Sequence, residues 1–87
     1  MPLKNFLIFF FFVGALFPQS PDKLLDDGNS ELENGNLIKA ENLFNQALEI
    51  DPSFAPAVKG LSKLYLHRGD LKKANEYAIQ AVRKDED

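Results

Sequence analysis

The chain contains no cysteine and no tryptophan, and it has a single histidine and a single methionine. Without cysteine there can be no disulfide, no thiolate metal site and no thiol nucleophile. One imidazole, His67, is too little for a histidine metal cage, and no nucleophile stands at a recognisable spacing from it for a triad. Basic charge is also in short supply. Ten Lys and Arg face 13 Asp and Glu, for a net charge of −3. That balance excludes a general nucleic-acid binder. Alternation of period two is missing over any useful length, so strands are not expected. At 87 residues the chain holds one domain at most.

Apolar residues make up 45% of the sequence, unevenly placed. Six of the eight phenylalanines lie between Phe6 and Phe17, a twelve-residue run with no polar side chain. Lys4 precedes it and Pro18-Gln19-Ser20 follows. A basic start, a short apolar run and small or polar residues after it describe a secretory signal peptide. As a helix the run would reach roughly 18 Å, short of the ~30 Å hydrocarbon core. Four consecutive Phe give no helical face, which disfavours a buried helix of the fold. Val13-x-Ala15 and Ser20 are the cleavage options, and no cysteine follows for lipid attachment. Residues 1–20 therefore read as a signal peptide, with an uncleaved membrane anchor as the alternative. The expected location is exported, periplasmic or secreted.

The remainder repeats itself. Residues 21–53 laid over 55–87 with a shift of 34 give eight identities in 33 pairs without a gap. They are Leu32/Leu66, Gly35/Gly69, Leu37/Leu71, Lys39/Lys73, Ala40/Ala74, Gln46/Gln80, Ala47/Ala81 and Asp51/Asp85. Each unit reads as a helical hairpin, with helices near 21–34, 37–50, 54–68 and 71–84. Ser20 with Pro21 behind it starts the first. Leu24, Leu25, Gly28 and Leu32 share one face. Asn34-Gly35-Asn36 ends that helix, the glycine supplying the left-handed residue, and Asn36 caps the next. Leu37, Ala40, Leu43, Phe44, Ala47, Leu48 and Ile50 form the second stripe. Asp51-Pro52-Ser53 is a turn, with Ser53 as the third cap. Val58, Leu61, Leu64 and Tyr65 form the third face. Gly69 ends that helix and Asp70 caps the fourth, whose stripe is Leu71, Ala74, Tyr77, Ala78, Ala81 and Val82.

These residues resemble the tetratricopeptide repeat family. Its pattern is an apolar-x-x-Leu-Gly-x-x-Tyr helix, then Ala-x-x-x-Phe-x-x-Ala, then Pro. The first unit supplies Leu24, Gly28, Ala40, Phe44, Ala47 and Pro52 in register, departing at Asp27 and Glu31. The second supplies Val58, Leu61, Tyr65, Ala74 and Ala81, departing at Ser62, Ala78 and Glu86. The fold implied is all-α: two antiparallel helical hairpins, 21–54 and 55–87, in one module behind a hydrophobic leader helix. Gly28, Ala40, Ala47, Ser62, Ala74 and Ala81 then let helix backbones approach, while Phe44, Tyr65 and Tyr77 fill wider gaps. Asp26, Asp27, Glu31 and Glu33 give the first helix a polar outer face, as at the start of a solenoid. The family usually covers its last helix with one more, and none follows Lys84-Asp85-Glu86-Asp87. Two repeats alone bury only about 60% of their unfolded surface. The module is thus expected to dock on a partner, to self-associate, or to be a reduced copy of a longer protein.

No enzyme or cofactor is expected. Ser20, Ser30, Ser53 and Ser62 read as caps, surface or packing. Asp26, Asp27, Glu31 and Glu33 lie on a helix and not in a calcium loop. Gly35 and Gly69 are helix terminators and not a phosphate loop.

Charge is polarised along the repeat axis. Residues 21–54 carry two Lys against eight acids, or −6; residues 55–87 carry seven Lys and Arg against five acids, or +2. The family resemblance implies a concave groove lined by the first helix of each unit. It would show Leu25, Asn29, Leu32 and Glu33, then Lys59, Lys63, Leu66 and His67. Lys59, Lys63 and His67 share one helical face. Asn29 beside that basic ladder suits an acidic peptide or a terminal carboxylate. The plainer reading is a solvated stripe. The carboxylate clamp of chaperone-binding members is not reproduced, because Leu25 stands where Lys is expected and Gly60 where Asn is expected. The implied function is an exported, non-catalytic protein–protein interaction module that binds its partner through the concave face or the open C-terminal end; the alternative is an uncleaved, membrane-anchored structural subunit of an envelope assembly.

Overall fold

A computed structural model describes residues 19–86. The apolar run Phe6–Phe17, and with it residues 1–18 of the expected leader, lies outside the described residues. Four helices follow: α1 Pro21–Glu33, α2 Leu37–Ile50, α3 Ala55–His67 and α4 Leu71–Glu86. Each lies within one or two residues of its expected span. Among the described residues there is no strand.

Local chemistry sets the ends. The Lys23 backbone N–H donates to Ser20 Oγ at 3.1 Å, and the Lys73 N–H donates to Asp70 Oδ1 at 3.1 Å. Both caps are the expected ones. The two hairpin turns are alike. Asn36 N–H donates to the Glu31 carbonyl and Gly35 N–H to the Leu32 carbonyl. Thirty-four residues on, Asp70 N–H reaches Tyr65 O and Gly69 N–H reaches Leu66 O. This paired arrangement needs a left-handed residue after the helix, and Gly35 and Gly69 take φ of 82° and 80°.

Two expected caps fail. Asn36 makes no side-chain bond to its helix; its amide donates to Glu31 Oε1 instead. Ser53 does not cap α3, which starts after Phe54. Its N–H and hydroxyl both donate to Asp51 Oδ1, tightening the α2–α3 turn. Pro56 takes a first-turn position in α3, where its missing N–H is harmless.

The helices pack as two hairpins, α1 on α2 and α3 on α4. Helix α3 also packs on both α2 and α1. Phe44, fully buried, sits where the hairpins meet. A Cβ on Gly28 would lie 2.6 Å from its ring, and one on Gly60 would lie 2.7 Å from it. Gly28 was expected to admit a helix backbone. It admits a ring, and Gly60, which stands where the clamp's Asn is expected, seats the same ring from the other hairpin. Leu24, Leu61 and Leu64 complete this centre. Ala40, Ala47, Ala74 and Ala81 are buried.

Other expectations are corrected. Ile50 is exposed, because it falls off the α2 stripe in the last turn. Pro52 lies in the turn read from the sequence, exposed, and its carbonyl accepts from Lys84 Nζ at 2.7 Å. Among the described residues of α4 only Ala74 and Ala81 are buried, while Leu71, Ala78 and Val82 are exposed. No helix of the described residues is long and apolar enough to cross a membrane.

Candidate functional site

The acidic residues of α1 do not form one outer face. Asp26 and Glu33 are exposed. Asp27 pairs with Lys23 at 3.0 Å, one turn away. Glu31 turns toward the α1–α2 connection, pairing with Lys39 at 3.3 Å and accepting from Asn36. Among the described residues no three His, Asp or Glu side chains gather as for a metal ion.

The richest polar cluster is one that the sequence reading did not single out. Tyr65 on α3 donates its hydroxyl to Glu41 on α2, and Arg68 donates to the other carboxylate oxygen at 3.1 Å. Arg68 and Lys73 lie 5.2 and 5.1 Å from the centre of the Tyr65 ring. Tyr77 stacks on that ring at 5.5 Å. Tyr65 donation, aided by Arg68, holds the Glu41 carboxyl below the usual glutamate range, against the opposing effect of burial. The same bond, with burial, pushes the Tyr65 phenol up. The cluster joins α2, α3 and α4. Its partners are 24 and 27 residues apart, so no spacing rule could have found it. Ser62 is a similar case. It occupies a small-residue position, and its buried hydroxyl donates to the Ala74 carbonyl at 2.7 Å.

The proposed groove residues lie on two helices. Asn29 is half-buried on α1, while Lys59, Lys63 and His67 are exposed on α3. Leu32 is buried and Leu66 exposed. Lys59 and Lys63 line a shallow cleft of about 320 Å³ with Ala78, Val82 and Asp85 of α4. Asn29 and His67 do not line it. A second cleft of about 220 Å³ is lined by Leu66, Leu71 and Asn75. Ser62 and Ala78 border both clefts, so they form one groove between α3 and α4. It exposes Leu66, Leu71 and Val82 at 53%, 67% and 58%. Among the described residues neither Lys59 nor Lys63 is ion-paired.

A Tetratricopeptide repeat profile matches residues 31–87, which include α2, α3 and α4 and the last turn of α1. No curated protein and no solved structure matches the chain. The profile spans more than half of the sequence. It coincides with the ungapped 34-residue repeat, the paired glycine turns and the two packed hairpins. On these grounds the chain belongs to the tetratricopeptide repeat family.

Proposed function

We propose that the chain is a non-catalytic module that binds a protein or peptide partner after export directed by residues 1–20. The family's general use of protein partners supports the first half. The observation that carries it is the exposed basic ladder Lys59–Lys63–His67 on a chain that is otherwise acidic. It offers a charged docking edge with no pairing inside the described residues. Acidic segments are the matching ligand chemistry. Export rests on the composition of residues 1–20 alone.

Two measurements test this reading. The intact mass of the protein from its native host reports the N-terminus: loss of about the first 15 or 20 residues supports signal cleavage. A full-length chain held in the membrane fraction replaces export by anchoring. Affinity capture of the host's exported proteins is then compared between the parent and Lys59→Glu/Lys63→Glu. Partners lost by the charge-reversed variant support recognition through the ladder. The same partners on both place recognition elsewhere.

A further inference from the structure

The geometry points to a helix-binding site between α3 and α4 whose occupant is an acidic amphipathic helix of a partner protein, anchored by one bulky apolar side chain over Ala78. This deepens the interaction-module reading and rests on it.

The molecule carries its own template. A shift of 34 places the α1/α2 hairpin on the α3/α4 hairpin. In the first hairpin the groove between the helices is occupied: α3 packs on both α1 and α2. This groove shape therefore takes a helix. In the second hairpin the corresponding groove is open among the described residues. Leu66 is 53% exposed where its counterpart Leu32 is 6% exposed. Leu71 and Val82 are exposed where Leu37 and Leu48 are half-buried.

The two grooves differ at one decisive position. Phe44 fills the first with its own ring, and the incoming helix must offer a glycine, Gly60. Its counterpart in the second groove is Ala78. Gly28 is replaced by Ser62, whose hydroxyl is already taken up by the Ala74 carbonyl. The missing ring leaves clefts of about 320 and 220 Å³ that meet beside Ala78. Close packing then requires the incoming helix to bring the bulk.

Charge selects among occupants. Lys59 and Lys63 stand at the groove edge where the first unit has Leu25 and Asn29, and they outnumber Asp85 on the same cleft. Carboxylates on the incoming helix fit that edge. A second copy stacking through α1 does not fit. The α1 counterparts of Ala57, Gly60 and Leu64 are Lys23, Asp26 and Ser30, none of them bulky and apolar. The Phe6–Phe17 run has the bulk but no carboxylate.

The probe is a fluorescein-labelled amphipathic helical peptide with a central Phe flanked by Glu one turn before and one turn after. It is titrated with the full chain by anisotropy. Saturable binding is expected, weakened about tenfold or more when the peptide Phe becomes Ala. Ala78→Phe refills the hole and should abolish binding with helix content unchanged. Should that variant misfold, Val82→Glu at an exposed position should repel the same peptide. Lys59→Glu/Lys63→Glu should lose the Glu peptide and gain a Lys-bearing one. Equal binding by the Ala and Phe peptides, or by the parent, Ala78→Phe and Val82→Glu, overturns the proposal. So does a parent that sediments as a dimer while Val82→Glu sediments as a monomer, which makes a second copy the occupant. A photo-crosslinker at Val82 that captures Phe6–Phe17 of its own chain overturns it as well. Host partners retained by Ala78→Phe leave the module reading standing and remove only this groove. No peptide binding and no host partner for the parent removes both.

Discussion

Phe44 and Gly60 meet across the boundary between the two hairpins, so closely that a Cβ on Gly60 would stand 2.7 Å from the ring edge. Two effects compete in Gly60→Ala. Alanine favours the helix by up to about 1 kcal/mol. Overpacking a closed core costs about 1–3 kcal/mol. The ring is fully buried and also pressed by Gly28, so it has no room to yield. The overlap wins, and Gly60→Ala should lower the urea midpoint of the full chain. Adding Phe44→Leu should recover part of the loss. Equal midpoints for parent and Gly60→Ala would show that the ring moves aside freely.

Gly35 and Gly69 test a different constraint. A Cβ at either would meet nothing within 4 Å, yet both have φ near +80°. Replacement by L-alanine should cost about 1–2 kcal/mol from the left-handed backbone alone. D-alanine, introduced by chemical synthesis, should be neutral or stabilising at the same sites. The signature is the difference between the two enantiomers in thermal unfolding. At Gly60, which lies inside a right-handed helix, D-alanine offers no such rescue, because there the D enantiomer is the one that strains the backbone.

These glycines show where the sequence is legible. The repeat of 34 aligns Gly35 with Gly69, and a glycine after an amphipathic run has one common use, so both turns could be read directly. Ser20 and Asp70 were legible caps for the same reason: each is a short acceptor three residues before a free N–H. Asn36 and Ser53 have the same chemistry but are engaged by Glu31 and Asp51 instead, a competition that pattern alone does not rank. Gly60 drew notice only as the place where the clamp's Asn is missing, because nothing in the chain announces that a ring 16 residues earlier packs on it. Glu41 carries no local signal of its role, because its partners come from another hairpin. Lys59 and Lys63 were legible as a shared basic face. That α4 supplies the opposite wall of their cleft was not.

The Glu41–Tyr65 bond predicts pH dependence at both ends of the scale. The Glu41 carboxyl is held low in the folded state. Its contribution is therefore present above the ordinary glutamate value of about 4.3 and is lost as pH falls through the folded value. The Tyr65 phenol is pushed up. Its contribution is present below about 10 and is lost as pH rises through the folded value. Glu41→Gln should flatten the acid side of a melting-temperature profile. Tyr65→Phe should flatten the alkaline side and lower stability near neutrality by about 1.5–3 kcal/mol, as for loss of a hydrogen bond to a charged group. Arg68 stays with Glu41 in that variant, so some acid dependence should persist. Profiles of both variants that run parallel to the parent's would show that this cluster does not control pH stability.

Burial also predicts an order of opening among the helices. Helix α3 buries Ala57, Val58, Gly60, Leu61, Leu64 and Tyr65, and it touches all three other helices. Among the described residues helix α4 buries only Ala74 and Ala81 and packs on no helix but α3. Local opening is easiest where few buried contacts must break. Amide exchange should therefore be slowest in α3, intermediate in α2 and fastest in α4. Lys84 donates to the Pro52 carbonyl, one of the ties from α4 back to the α2–α3 turn, so Lys84→Met should speed exchange in the last turns of α4 without changing α1. A helix filling the α3/α4 groove adds contacts to both its walls. Saturating the chain with the Phe- and Glu-bearing peptide should slow exchange in α4 most, because α4 starts with the least protection. Uniform exchange across all four helices would mean that the two repeats open as one unit and that α4 has no independent freedom.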